Sequence, residues 1–226
     1  MFDKTEPNLH NDPHVINKNQ FINDQFCIMK ILVIGGHGTI GKKVVAELNL
    51  KHEVIIGGRT TGDVEVDIED STVIKNVLDQ LQPLDAIVSI AGEARWADFD
   101  DLSEQDYYIG IRSKLMGQVN LVRHGVKALH PGGSITLSTG ILADDPVPRT
   151  SSAAMVNGAL HSFVQATQLE LDFIRLNVVS LGLVEDAYEK YKDYFPGHVP
   201  ITMNQAAQAY VRAIEGKGRG EIIRVY

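Results

Sequence analysis

The chain has 226 residues, of which 44% are hydrophobic and 22% charged, so it can bury one sizeable core as a soluble domain. Its net charge of −8 disfavours nonspecific binding to nucleic acid or anionic membranes, and no apolar run approaches the ~18 residues of a membrane span. A single cysteine, Cys27, and histidines without ligand spacing exclude a disulfide framework and predict no metal site, as expected of a cytoplasmic protein.

Residues 1–28 are rich in Asn and Asp and show little hydrophobic periodicity. We expect a poorly ordered extension that precedes the folded domain at 29–226, and Met29 stands where the natural product would begin. The alternative is a short interaction segment around Phe21, Ile22 and Phe26.

Beyond residue 28, predicted strands alternate with predicted helices. The predicted strands span 30–35, 53–57, 84–90, 133–138, 173–180 and 221–225. The predicted helices span 40–50, 69–81, 103–128, 152–170 and 203–215. This alternation predicts an α/β fold, a single doubly wound Rossmann-like domain with a parallel sheet.

A glycine-rich turn, GGHGTIG at 35–41, directly follows the first predicted strand and opens the first predicted helix. Gly36, Gly38 and Gly41 have the spacing G-x-G-x-x-G, which lets the backbone approach a pyrophosphate at the positive end of a helix. The predicted phosphate-binding residues are Gly35, Gly36, His37, Gly38, Thr39, Ile40 and Gly41. The alternative is a structural turn without a ligand, in which His37 is only an exposed linker.

The second predicted strand ends at Gly57 without the acidic residue that would bind the ribose of NAD. Arg59 follows instead, beside hydroxyl groups at Thr60 and Thr61. A guanidinium group suits a phosphate, so this pattern favours the 2′-phosphate of NADP(H). The alternative is a solvated loop arginine.

Two dipeptides near the strand ends extend the predicted cofactor site. Ala91 and Gly92 follow the third predicted strand, where small side chains leave room for a dinucleotide. Asp67, followed by Ile68, offers a carboxylate to the adenine amino group. Alternatively, Asp67 is an acid at the N-terminus of the next helix.

These motifs resemble the short-chain dehydrogenase/reductase family over nearly all of residues 30–226. The resemblance is carried by the glycine turn at 35–41, Asp67-Ile68, Ala91-Gly92, the strand ending in Leu137-Ser138-Thr139 and the stretch at 177–182. It implies that Gly182 also borders the cofactor. Two departures indicate an atypical branch, because Thr39 replaces the middle glycine of the family's turn and Leu181 replaces a proline.

The family's catalytic tyrosine and lysine are absent in this alignment. Ala153 stands at the tyrosine position and Asn157 at the lysine position, while Lys114 replaces a supporting asparagine. The remaining catalytic candidates are therefore Ser138 or Thr139 as the substrate-orienting hydroxyl, Asn157 and Lys114. The Tyr-x-x-x-Lys pair in the chain, Tyr188 with Lys192, falls in a segment predicted to be a solvated helical lid.

The resemblance implies an NADP(H)-dependent oxidoreductase that acts on a small carbonyl or alcohol substrate, with the proton supplied by a rearranged group. The missing tyrosine favours the alternative, a catalytically silent NADP(H) sensor or scaffold. A third possibility, sugar-nucleotide or flavin chemistry on the same fold, has no further motif.

Apolar stripes on two predicted helices favour a homo-oligomer, a dimer or tetramer. One stripe contains Leu115, Val119 and Val122, and the other contains Ala154, Leu160, Phe163 and Val164. The alternative is ordinary packing of these helices on the sheet.

Overall fold

The computed structural model describes residues 27–226, which form a seven-stranded sheet flanked by helices. The strands are β1 (Lys30–Ile34), β2 (Glu53–Gly58), β3 (Val64–Glu65), β4 (Leu84–Ser89), β5 (Leu129–Gly140), β6 (Arg175–Leu181) and β7 (Ile222–Val225). The helices are α1 (Thr39–Leu48), α2 (Ser71–Leu81), α3 (Glu104–Gly110), α4 (Gly117–Ala128), α5 (Ser151–Gln168), α6 (Glu185–Tyr191) and α7 (Met203–Glu215). The predicted extension lies almost wholly outside the described residues.

All strands of the sheet are parallel, in the order β3-β2-β1-β4-β5-β6-β7. Since β1 pairs with β2 on one side and β4 on the other, the strand order reverses beside β1. Ligands of open parallel sheets bind beyond the carboxyl ends of the strands at such a switch point. The predicted α/β fold is confirmed, and the topology places the glycine turn at this point.

The core lies on both faces of the sheet, which explains why β1 is a continuous apolar run. Leu32 and Ile34 pack on the face covered by α2, α4 and α5. Ile31 and Val33 pack on the opposite face, against residues of α1 and α7. Among the described residues, no helix is long and apolar enough to cross a membrane.

The predicted oligomer stripes are partly wrong, because several of their members belong to the core. Val122, Leu160 and Val164 are buried against the sheet, so they are not available to a second copy. The outer surfaces of these helices carry other exposed apolar side chains, including Ile109 on α3 and Met155 on α5.

The helix predicted at 103–128 consists of three parts. A π-helical segment, Ile111–Met116, joins α3 to α4. Such wide turns insert an extra residue into a helix and occur frequently at functional sites. The sequence prediction also lacked the two-residue strand β3 and began β5 four residues late, because residues 129–133 contain a proline and two glycines.

Candidate functional site

The glycine turn leaves β1 in a conformation that requires glycine. Gly35 has φ +85°, and a Cβ atom there would lie 2.7 Å from the carbonyl oxygen of Ile90. The turn closes where the amide of Gly38 donates to the carbonyl of Gly35 over 3.0 Å. Helix α1 begins at the next residue, Thr39.

Helix α1 begins without a side-chain cap, unlike three other helices of the fold. Asp70, Ser103 and Thr202 cap α2, α3 and α7, whereas Gly38 at the start of α1 has no side chain to accept from the first N–H groups. The first turn of α1 also lacks an acidic residue. These N–H groups therefore remain available, together with the positive end of the helix, to an anion at the switch point.

A recess of about 210 Å³, here called the glycine recess, lies beyond the ends of β1 and β2. Its lining residues are Ile34, Gly35, Gly58, Arg59, Val66, Ile68, Ala91 and Gly92. The recess therefore brings together five of the predicted cofactor residues, from the glycine turn, the loop after β2, the segment before α2 and the loop after β4. Buried Ile68 gives it an apolar wall.

Arg59 lines the recess beside two carboxylates. Its Nε lies 3.8 Å from Asp67 Oδ1, and its Nη2 lies 3.6 Å from Glu69 Oε1, with 58% of the Arg59 side chain exposed. Long pairs between exposed side chains contribute little stability, so Arg59 can exchange them for a ligand. Asp67 also accepts from the amide of Glu69, in the turn that precedes α2, whereas Asp70 is the residue that caps this helix.

Two other predicted residues of this region, His37 and Thr60, do not line the recess. His37 Nδ1 lies 3.1 Å from the hydroxyl of Thr61, so His37 joins the glycine turn to the loop that carries Arg59. Thr60 is exposed in the same loop. His37 therefore supports the loop through its side chain.

A second cavity of about 460 Å³, here called the apolar cavity, lies on the other side of Gly92. Its lining residues are Ile40, Gly92, Trp96, Thr139, Gly140, Ile141, Leu142, Leu181, Gly182, Leu183, Val184, Ala187, Tyr191 and Phe195. Of these side chains, only Thr139 carries an aliphatic hydroxyl. That hydroxyl lies 2.9 Å from Nε2 of His161, whose pKa is lowered by burial.

The structure separates the two hydroxyl candidates on β5 and corrects the prediction for Ser138. The Ser138 hydroxyl bonds to the backbone oxygen of Ser89 and lies 2.7 Å from the hydroxyl of Tyr210 on α7. Because successive side chains of a strand point to opposite faces, Thr139 lines the apolar cavity and Ser138 does not. Thr139 is therefore the hydroxyl that can contact a substrate.

Lys114 lies on the π-helical segment and its stem covers Gly92. A Cβ atom added to Gly92 would lie 2.8 Å from the Cα of Lys114 and 3.1 Å from its Cβ. The Lys114 amine makes no hydrogen bond or ion pair with any residue of the described part of the chain. Burial lowers the pKa of Lys114 to about 8. Lys114 thus packs against Gly92, the residue that the glycine recess and the apolar cavity share.

Asn157 and Ala153, which were predicted to align with the family's catalytic pair, both lie on α5. Asn157 is 4% exposed, and its Oδ1 is buried with no hydrogen-bond partner among residues 27–226. Its Nδ2 lies 3.8 Å from the point where a Cβ would sit on Gly140, which lines the apolar cavity. Ala153 packs beside Leu142 and Phe195 and offers no proton.

The lid prediction needs a correction, because the tyrosines of α6 and its continuation pack inward. Tyr188, Tyr191 and Tyr194 contact an apolar cluster below the lid that also contains Trp96. The ring centroids of Trp96 and Tyr191 lie 5.4 Å apart. The spacing of three residues between these tyrosines is the signal that would have indicated one inward face. Lys192 pairs with Glu189 at 2.6 Å, as expected of a surface lysine.

A third cavity of about 530 Å³, here called the polar cavity, lies beyond Trp96 and Tyr191. Both rings line the apolar cavity as well, so they form the wall between the two spaces. The sequence analysis did not identify the polar cavity, since its charged residues come from two segments more than fifty positions apart. Within residues 27–226, no group of three or more His, Cys, Asp or Glu side chains is placed to hold a metal ion.

Comparison with known proteins identifies a family whose model matches the chain and solved structures that share its fold. Residues 32–212 match the family model described as Enoyl-(Acyl carrier protein) reductase. The chain is similar to the protein lin1944 from Listeria innocua, with 40% identity and a TM-score of 0.85 over 88% of this chain and 100% of that one. It is also similar to a small-chain dehydrogenase solved in complex with NADPH, with 27% identity and a TM-score of 0.78 over 88% of this chain and 96% of that one.

A curated relative, an uncharacterized oxidoreductase of Methylorubrum extorquens, is 27% identical over 124 residues. The match covers 54% of this chain and spans half the length of that relative. The family model, by contrast, covers most of the chain, from β1 into α7. Together with the strand order and the glycine turn at the switch point, this match shows that the chain belongs to the short-chain dehydrogenase/reductase family.

Proposed function

We propose that the protein is an NADP(H)-dependent oxidoreductase that reduces a small carbonyl substrate or oxidises the corresponding alcohol. One observation carries this proposal: the glycine recess and the apolar cavity meet at Gly92, beside the uncapped start of α1. A dinucleotide needs a site for each of its two halves and a phosphate site between them. These three parts lie together at the switch point of the sheet.

The residues of the site fit this cofactor. Ala91 and Gly92 leave the strand ends open, and the α1 amides suit a pyrophosphate. Arg59 suits the 2′-phosphate that distinguishes NADP(H) from NAD(H). The buried Oδ1 of Asn157, which has no hydrogen-bond partner among the described residues, suits a ribose hydroxyl. The neighbour solved with NADPH supports the assignment.

NADPH, when bound, supplies the hydride for carbonyl reduction, and the protein must then orient the carbonyl and deliver a proton. Thr139 is the hydroxyl that can hydrogen-bond the substrate oxygen in the apolar cavity, and His161 fixes its orientation. The walls of the cavity are formed mainly by aliphatic and aromatic side chains. These residues position the substrate.

Lys114 is the proposed proton donor in place of the missing tyrosine. With a pKa of about 8 the amine is protonated at pH 7, yet it releases a proton far more readily than an ordinary lysine. During reduction its N–H bond breaks as the O–H bond of the product alcohol forms. The neutral amine then regains a proton from solvent.

The cofactor assignment is tested by titrating the protein with NADPH and NADH. We expect NADPH to bind at least about tenfold more tightly, since a charge-assisted contact to phosphate contributes about 1.5–3 kcal/mol. Arg59→Ala should remove this difference. Lys217→Ala, which changes an exposed lysine in the loop before β7, should preserve it. Equal affinities in the unaltered protein would contradict the assignment.

The reaction is tested with NADPH and a panel of carbonyl compounds across pH 6–10. Turnover should fall as pH rises through about 8, because the general acid is lost when Lys114 releases its proton. Lys114→Met should lower kcat by about 10²–10⁴-fold. In Lys114→Arg any remaining activity should lose this pH dependence, since arginine stays protonated. Tight NADPH binding without turnover of any carbonyl would contradict the oxidoreductase and favour an NADP(H) sensor or scaffold.

A further inference from the structure

The polar cavity contains charged groups that the proposed reaction does not use. Its lining residues are Glu93, Ala94, Arg95, Trp96, Ile109, Arg149, Tyr191 and Tyr194. It shares Trp96 and Tyr191 with the apolar cavity, so a ligand that passes these two rings occupies both spaces. The cavity therefore lies where the far end of a substrate would be.

Arg149 is held over the polar cavity by an unusual backbone. Its φ is +72°, and it is the one non-glycine residue with a positive φ in the described part of the chain. This conformation is strained for a residue with a side chain, and such strain is concentrated at functional sites. The amide of Ala97 donates to the Arg149 carbonyl over 3.2 Å, and Arg149 Nη1 donates to the Tyr194 hydroxyl over 3.1 Å. These contacts fix the guanidinium between the loop at residues 96–98 and the lid.

The side chains that line the polar cavity carry two positive charges and one negative charge, from Arg95, Arg149 and Glu93. Two further carboxylates, those of Asp98 and Asp106, lie next to the arginines but do not line the cavity. Asp98 lies 3.5 Å from Arg149 Nε, and Asp106 lies 4.0 Å from Arg95 Nε.

Both arginines retain N–H donors that have no acceptor in the described part of the chain. Both ion pairs engage Nε at long distance, and within residues 27–226 the Nη groups of Arg95 make no hydrogen bond. Asp106 is also engaged in capping α3, where it bonds to Ser103. A planar anion can therefore be bound through the Nη groups, in the geometry that guanidinium and carboxylate groups prefer.

We propose that the polar cavity binds a carboxylate at the far end of the substrate, while the reacting carbonyl occupies the apolar cavity. This inference rests on the proposed function and narrows it to a substrate class. The rings of Trp96 and Tyr191 contact each other, with centroids 5.4 Å apart, so a linker between the carbonyl and the acid lies along this aromatic wall. A flat apolar group suits such a surface. The substrate class is an aromatic or similarly flat carbonyl compound with an acidic substituent.

The single tryptophan of the chain, Trp96, provides a binding signal that needs no turnover. The protein is saturated with NADP⁺, so that no reduction occurs, and titrated with 4-acetylbenzoate or its neutral analogue 4-acetylbenzamide. Calorimetry gives the affinities and Trp96 emission shows that the ligand reaches the wall. We expect the carboxylate to bind about tenfold more tightly than the amide, as one charge-assisted contact predicts.

Three variants test the charges separately. Arg149→Gln and Arg95→Gln should each weaken the carboxylate about tenfold and leave the amide unchanged, whereas Glu93→Gln should strengthen the carboxylate because a like charge is removed. Arg123→Gln, an exposed arginine on α4, serves as the matched control and should change neither affinity. If Arg149→Gln fails to fold, Arg149→Lys keeps the charge but loses the planar donors and should show an intermediate loss.

The outcomes separate this inference from the function on which it rests. Equal affinity for carboxylate and amide in the unaltered protein would overturn the carboxylate site, while NADPH-dependent turnover of the amide would leave the oxidoreductase intact. Tighter binding of the cationic analogue 4-(aminomethyl)acetophenone would overturn it as well. A clear preference for the carboxylate without turnover of any carbonyl would support the site and contradict the proposed reaction.

Discussion

Replacing Lys114 with methionine is expected to stabilise the fold at neutral pH, although it removes the proposed proton donor. The Lys114 amine is desolvated and makes no hydrogen bond or ion pair with the described residues. Folding at pH 7 therefore transfers a charged group from water into a less polar environment without compensation. Methionine has a similar length and flexibility and carries no charge.

The size of the effect follows from the pKa of Lys114, which falls from 10.5 to about 8. At 1.36 kcal/mol per unit, this shift corresponds to at most about 3 kcal/mol, reduced by solvent because the side chain is only partly buried. The cost is complete below the folded pKa of about 8, where both the folded and the unfolded chain hold the proton. It declines as pH rises towards 10.5 and is about 1 kcal/mol at pH 10.

Urea denaturation at pH 7, 9 and 10 measures the free energy of unfolding of both proteins at one ionic strength. Comparing Lys114→Met with the unaltered protein at each pH cancels the titration of all other groups. Lys127→Met, which changes an exposed lysine on α4, should give a difference near zero at every pH. A Lys114→Met protein that is less stable at pH 7, or a difference that does not shrink at alkaline pH, would refute the reasoning. A stabilised variant without activity would show that stability is sacrificed for function at this position.

Three further predictions concern the chain as a whole. Deleting residues 1–28 should leave Tm and NADPH affinity unchanged, because their composition buries little apolar surface; a loss of several degrees would show that they pack on the domain. Light scattering at micromolar concentration should give a dimer or tetramer of the 24.9 kDa chain, since Ile109 and Met155 are exposed apolar side chains on α3 and α5, and a monomer mass would contradict this. Ala153→Tyr combined with Asn157→Lys should raise carbonyl turnover about 10²-fold or more if these positions align with the family's pair, whereas an unchanged rate would count against the alignment.

The sequence predicts the parts of this fold that depend on contiguous residues. The apolar run of β1, the glycine turn and the start of α1 form one continuous segment, so its local pattern predicts both the elements and a phosphate ligand. The position of Arg59 in the glycine recess can also be predicted from the sequence, because Arg59 comes directly after a strand that must lie beside β1. For these residues, the order of the strands and the positions of their ends are sufficient to predict where each residue lies.

Contacts between residues that meet only through tertiary packing could not be predicted from local sequence patterns. Ser138 and Thr139 are adjacent, and alternation along β5 shows that they face opposite sides without showing which side carries the cavity. The choice depends on α7, which supplies Tyr210 to the Ser138 side. Arg95 and Arg149 meet in the polar cavity because the loop after β4 and the loop before α5 contact each other, a relation that local pattern does not encode.

The π-helical segment at Ile111–Met116 joins α3 to α4 and sets how far the faces of α3 are rotated about the helix axis relative to the faces of α4. Each α-helical residue turns the chain by about 100°, so removing one residue from this segment would rotate α3 by that angle relative to α4. The face of α4 that packs on the core would keep its register, while Ile109 would leave the wall of the polar cavity. Changes in length before Lys114 therefore act on the side of the protein that carries the polar cavity, which offers a route to reshape this cavity without redesigning the fold.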